Sequence, residues 1–181
     1  MLPCEPMSTP SRRSFASLAL AIGTVLCAAR PAAAYEDQAT LGVGLGYAHA
    51  FGVDPASGAM LALSGSVGLG ETLAARALLG YALHPSDEPL HVGVAGAELV
   101  YLIDVIELVP WFGLGADAVL RARAGELRPE LAAHAVLGLD YLVSRALTLT
   151  LELRPYVMLT DLDGAPAYGA VIVSATWMLD S

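Results

Sequence analysis

Few residues in this chain have the types and spacing to do chemistry. The tightest cluster is His84, Ser86, Asp87 and Glu88, interrupted by Pro85. A serine two residues from a histidine, with acids beside it, is the raw material of nucleophilic catalysis, where the imidazole takes the hydroxyl proton and a carboxylate orients the ring. Pro85 and the run of acids nevertheless read as a turn. His49, His91 and His134 stand apart, so no histidine pair has metal-ligand spacing. More telling are charges set singly among apolar residues: Arg76, Glu98, Asp117, His134, Asp140, Glu152 and Arg154. If their elements bring them together away from water, they must pair, because an unpaired buried charge costs several kcal/mol.

The elements that would position them are strands. In "LTLTLELRPYV" the odd positions Leu147, Leu149, Leu151 and Leu153 alternate with Thr148, Thr150, Glu152 and Arg154. A period of two sends alternate side chains to opposite faces of a strand. The same pattern predicts eight strands, over 39–51, 59–69, 72–83, 90–103, 107–121, 130–142, 146–158 and 168–179. Connections such as "GVDPASGA", "HPSDEPL", "ARAGELRP" and "LTDLDGAPA" read as longer loops, and "GE", "DVIE" and "VSRA" as tight turns. Pro155 lacks the N–H a ladder needs, which predicts a bulge or the end of regular pairing there.

Residues 1–34 are set aside as a secretory signal peptide, with Arg12 and Arg13, an apolar run from Phe15 and the small-residue exit Ala32-Ala33-Ala34. Met7 is an alternative start, and general secretion is preferred to the twin-arginine route. Residues 35–181 form the domain. Cys4 and Cys27 both precede Tyr35, so the domain has neither disulfides nor a thiolate metal site. Of eighteen Asp and Glu only Glu5, and of nine basic residues only Arg12, Arg13 and Arg30, precede it, leaving a charge of −11. That sign argues against nucleic acid as a partner. Yet the chain is 56% hydrophobic. Its longest stretches free of Asp, Glu and Arg after Tyr35 are sixteen residues and rich in Gly, Ser and Ala (38–53, 55–70 and 164–179), too short for a spanning helix. The glycines of "GVGLGYAHAFG" and "WFGLGADA" keep a period of two with no helix following, so no cofactor loop is expected.

One face of the strands carries Leu41, Val43, Leu45, Leu61, Leu63, Leu79, Leu99, Leu114 and the four leucines of the seventh strand. The other carries Gly42, Gly44, Ser64, Ser66, Gly96, Gly113, Gly115, Gly138, Thr176 and the seven charged residues named above. A soluble barrel would bury the leucines, but eight strands enclose too narrow a space for them. The expectation is a membrane barrel, with leucines toward lipid and glycines and polar groups inside. Tyr47, Phe51, Tyr81, Tyr156 and Tyr168 sit toward the long-loop ends, and Tyr101, Trp111, Phe112, Tyr141 and Trp177 toward the short-turn ends, as two aromatic girdles would.

This pattern resembles the small eight-stranded outer-membrane barrels of the OmpA/OmpX type. The resemblance implies an all-β, antiparallel, up-and-down transmembrane barrel in a bacterial outer membrane. It also implies lipid and lipopolysaccharide as surroundings, the barrel assembly machinery as a partner during insertion, and a monomer. The role it implies is structural or surface-related, with the interior charges acting as a plug rather than an ion or proton path. Asp54, Asp87, Glu88, Glu126, Asp161 and Asp163 are read as solvated loop carboxylates, with divalent cations bridging lipopolysaccharide as the alternative. Some eight-stranded barrels are lipid A deacylases, and His84-x-Ser86 matches their His-x-Ser, although Asp87 stands where that pattern has Asn. A lipid A-modifying enzyme is thus the second reading, and a soluble periplasmic ligand-binding barrel the third.

Overall fold

The computed structural model describes residues 38–52, 54–103, 108–162 and 167–179. The expected signal segment 1–34, Asp104 and Asp163 lie outside the described residues. Eight strands run in chain order: β1 (Ala39–Phe51), β2 (Ala56–Gly68), β3 (Leu73–His84), β4 (Leu90–Leu102), β5 (Leu108–Arg123), β6 (Glu126–Leu142), β7 (Leu147–Met158) and β8 (Ala167–Leu179). Each pairs antiparallel with the next, and β1 closes on β8 from Ala39↔Leu179 to Phe51↔Ala167. Closure leaves no edge strand, so backbone polar groups are satisfied within the sheet, as a lipid surround requires.

The alternation read from the sequence decides which way side chains point. Even-numbered residues face the lumen in every strand but β5, where odd ones do. The outward set is apolar on all eight strands, and Leu45 and Leu114 are about 70% exposed (69% and 70%). A contiguous belt of this kind has no stable existence in water, where even large apolar patches cover only a few hundred Å². It is the band that a membrane barrel turns to hydrocarbon.

Three expectations need correction. The segment "ARAGELRP" is not a loop. β5 and β6 extend to Arg123↔Glu126 and turn in two residues, Ala124 (φ 50°) and Gly125 (φ 83°). Paired left-handed residues match the twist of the flanking strands, as in a type I′ hairpin. Connections at that rim are therefore not uniformly longer than those at the other, and the 159–166 segment stands out alone. Pro155 makes no bulge. The pairs on either side, His134↔Tyr156 and Leu137↔Leu153, share one register, and only the two intervening pairs drop out of the β6–β7 ladder, while Pro155 stays in register with Gly169 of β8. The missing N–H removes a bond without moving the strand.

The lumen is not simply small and polar either. On the loop side of its centre, Met60, Leu78, Val92, Val94, Val119, Met158 and Ile172 form an apolar cluster with Tyr156 and Tyr168. A charged layer lies below it, and at the rim where β1 begins and β8 ends there is a cavity of ≈120 Å³. The lumen thus has a dry side and an open side.

Candidate functional site

The charged layer is assembled by glycines. Across β4, β5 and β6 the register aligns Glu98, Gly115 and His134. A Cβ on Gly115 would stand 2.6 Å from the His134 ring and 2.7 Å from Glu98 Cβ, so its absence lets the flanking side chains meet above β5. His134 Nε2 lies 2.7 Å from Glu98 Oε2. Gly138 makes room for the Trp111 ring, its partner on β5, and Gly96 makes room for Asp117, also its partner on β5.

Arg154 is the hub and is wholly buried. Its Nη1 and Nη2 donate to the two oxygens of Glu98 at 2.9 and 2.7 Å, and its Nε donates to Glu152 Oε2 at 2.8 Å. The two-pronged contact uses the fixed fork of the guanidinium, the strongest geometry available to an arginine and a carboxylate. Arg76 donates to the other oxygen of Glu152, stands 3.6 Å from Glu98 through Nε, and lays its guanidinium 4.6 Å above the Trp111 ring. His134 Nδ1 bonds Asp117 Oδ2. With a carboxylate on each ring nitrogen, His134 has the geometry of an imidazolium donating twice. Arg76, Arg154 and a charged His134 then match Glu98, Glu152 and Asp117 one for one. Asp140 stands aside: it accepts from Trp111 Nε1 at 2.9 Å and lines the cavity, and among the described residues no Arg or His forms an ion pair with it.

The aromatic residues divide. Tyr47, Phe51 and Tyr81 point outward toward one rim, and Tyr101, Phe112, Tyr141 and Trp177 toward the other. Tyr156, Tyr168 and Trp111 do not belong to a girdle: they are 1%, 1% and 3% exposed and point into the lumen. Their parity foretold it. Tyr156 follows Glu152 and Arg154 at steps of two, Tyr168 precedes Ser174 and Thr176 in the same register, and Trp111 leads Gly113, Gly115 and Asp117. Position along the strand gives membrane depth, and only parity gives the face.

The His84–Ser86 pair is not assembled. His84 is buried in the lumen with Nε2 3.3 Å from the Tyr168 hydroxyl, whereas Ser86 is exposed and donates to the Glu88 carbonyl at 2.5 Å. A different pair, missed in the sequence because it is made by cross-strand register, lies on the outer face. His49 Nδ1 is 2.8 Å from Ser57 Oγ, which also accepts from the Tyr47 hydroxyl at 2.7 Å. The loop acids are largely matched: Arg123 reaches Asp54 (3.4 Å) and Glu88 (4.0 Å), Arg121 reaches Asp161 (3.8 Å), and Arg128 reaches Glu126 (2.9 Å), while Arg121 of β5 and Glu130 of β6 are themselves buried and face each other in the lumen at 3.5 Å. Among the described residues no group of three His, Cys, Asp or Glu could hold a metal ion.

No protein-family model and no curated protein matches the chain. Solved structures do match its fold. Neisserial surface protein A (NspA) aligns with a TM-score of 0.68 at 13% identity, over 78% of this chain and 97% of its own. Ail, the attachment invasion locus protein of Yersinia pestis, aligns at 0.56 and 12% identity, over 78% and 98%. The N-terminal β-barrel domain of Pseudomonas aeruginosa OprF aligns at 0.52 and 13% identity, over 76% and 96%. At these identities the likeness is one of fold, that of the small eight-stranded outer-membrane barrels. That fold and an unbroken lipid-facing belt together place the chain in a bacterial outer membrane.

Proposed function

We propose that this barrel serves the outer membrane structurally and at its surface, with a lumen stoppered by the Arg76–Glu98–Glu152–Arg154–His134–Asp117 layer. The carrying observation is Arg154: fully buried, and bonded to carboxylates on β4 and β7 at once, it spans the lumen and ties its walls together. Eight strands leave room for side chains and little else, and the apolar cluster above the layer adds a second seal. The partners that fit this reading are lipid and lipopolysaccharide along the belt and the barrel assembly machinery during insertion. The acidic exterior fits no nucleic acid, and the chain acts as a monomer. The test is planar-bilayer recording of the detergent-extracted protein after its folding is verified by heat-modifiable gel migration. The reading expects a folded, non-conducting barrel, and stepwise conductance would overturn it.

A second reading, a lipid-modifying enzyme, has one geometric foothold in the His49–Ser57 contact at the lipid-facing surface. Among the described residues no carboxylate is hydrogen-bonded to His49 to orient the ring, as a triad needs. Release of acyl chains from labelled lipid A, lost in Ser57→Ala, would favour this reading over the first.

A further inference from the structure

Two arginines near the loop-side end of β5 reach every other connection at that mouth. Arg121 and Arg123 share the lumen-facing parity of Trp111 and Asp117 on the same strand. Arg123 Nη1 donates to Asp54, between β1 and β2, at 3.4 Å, and its Nε stands 4.0 Å from Glu88, between β3 and β4. Arg121 stands 3.8 Å from Asp161, between β7 and β8, and 3.5 Å from Glu130 of β6. In a closed ring of eight strands β5 lies opposite β1, so the Arg123–Asp54 contact crosses the mouth. At the same end of the lumen His84 of β3 meets Tyr168 of β8 at 3.3 Å, and the apolar cluster follows.

Two observations set these contacts apart from the ionic layer. They are long, 3.4–4.0 Å, where those of Arg154 are 2.7–2.9 Å. The side chains of Arg123, Asp54 and Glu88 are also well exposed, and ion pairs in that position weaken as salt rises. The second observation is a set of polar atoms buried at this mouth with no hydrogen bond to another described residue: Arg121 Nε and Nη2, Arg123 Nε, Glu130 Oε2 and His84 Nδ1. Burying a polar group unbonded opposes the closed arrangement, and water entering the mouth satisfies such groups. Closure is thus favoured by charge and opposed by desolvation, a balance that ionic strength can tip.

From this geometry we infer that Arg121 and Arg123 form an ionic clasp that gates the loop-side half of the lumen. Closed, it holds the β1–β2, β3–β4 and β7–β8 connections to β5. Loosened by salt, it admits small uncharged molecules as far as the apolar cluster. The Arg154 layer beyond stays shut in both states, so this gate and the stopper proposed above fail by different tests.

The test reads the accessibility of Ala50, which faces the lumen in register with Tyr168 and is 4% exposed. Ala50→Cys in the detergent-extracted barrel is alkylated with iodoacetamide, which carries no charge, at about 20 mM and about 1 M sodium chloride. Its rate is taken relative to Arg145→Cys, exposed at the opposite rim, and heat-modifiable migration verifies folding throughout. The inference expects a relative rate that rises roughly tenfold with salt. With Arg121→Gln and Arg123→Gln added, the rate should be high at both salt levels. Should that double change prevent folding, Arg123→Gln alone, which leaves the more buried arginine in place, is expected to raise the low-salt rate. Ile172→Cys, deeper in the apolar cluster, should stay unreactive in every case. A relative rate at Ala50→Cys that ignores both salt and the arginines would overturn the inference. So would a parallel rise at Ile172→Cys, which marks loosening of the whole barrel.

Discussion

Glu98 and His134 sit on strands that do not touch, yet their side chains hydrogen-bond at 2.7 Å across Gly115 of the strand between them. The contact exists because the middle strand contributes no side chain at that level. Gly115→Ala places a methyl carbon 2.4 Å from the Ala97 carbonyl and 2.6 Å from the imidazole. The expected loss is about 2–3 kcal/mol, the range of overpacking with a broken buried hydrogen bond. Denaturant titration of the detergent-folded barrel checks it, and a loss below ~0.5 kcal/mol would mean that the layer tolerates separation.

Removing one partner of a buried ion pair is worse than removing both. Arg154→Met leaves the layer one positive charge short, with Glu98 and Glu152 sharing Arg76 alone, and is expected to cost roughly 3–5 kcal/mol. Adding Glu98→Gln should return much of it, because the uncompensated charge goes with it and Arg76–Glu152 and His134–Asp117 remain as matched pairs. If the double variant proves no more stable than Arg154→Met, the layer acts through packing rather than charge.

The hairpin between β5 and β6 holds Ala124 at a φ of 50°, a region in which a Cβ costs roughly 1–2 kcal/mol. Ala124→Asn, followed by Gly125, supplies the pair that such turns favour. The variant is expected to gain about 0.5–1 kcal/mol. A destabilised variant in the same titration would show that Ala124 makes a contact stronger than its strain.

With Cys4 and Cys27 confined to the expected signal segment, single cysteines can map which parts of the lumen are wet. Thr148→Cys, in the cavity wall, should react with a small charged thiol reagent in the folded barrel. Ile172→Cys, in the apolar cluster, should react only after boiling in SDS. Equal reactivity of the two would erase the division of the lumen into open and dry halves.

Much of this was legible in the sequence, because one physical rule governs nearly all of it. Alternation gave the eight strands to within a few residues, and since a leucine belt cannot fill so narrow a lumen, it also gave the inverted polarity. The seven inward charges follow from the same parity. What could not be read is which of them meet. The contacts of Arg154 with Glu98 and of Arg76 with Glu152 cross the lumen at separations of 56 and 76 residues, set by barrel closure rather than local spacing. The misassignment of Trp111, Tyr156 and Tyr168 has the opposite character. Their parity points inward, whereas their position near the strand ends gives depth alone. The β5–β6 extension was hidden because "AGE" carries turn residues while the flanking Arg, Glu and Pro lack apolar alternation: beyond the bilayer neither face has a reason to be greasy.

The dry cluster on one side of the ionic layer and the cavity on the other open the described lumen toward the rim where β1 begins. Asp140, which lines that cavity, is reached from the rim where β1 begins. A shift in salt or acidity in that compartment therefore meets the hydroxyl-bearing cavity wall and Asp140 first, while the same shift across the membrane meets the apolar cluster around Tyr168 and Met60.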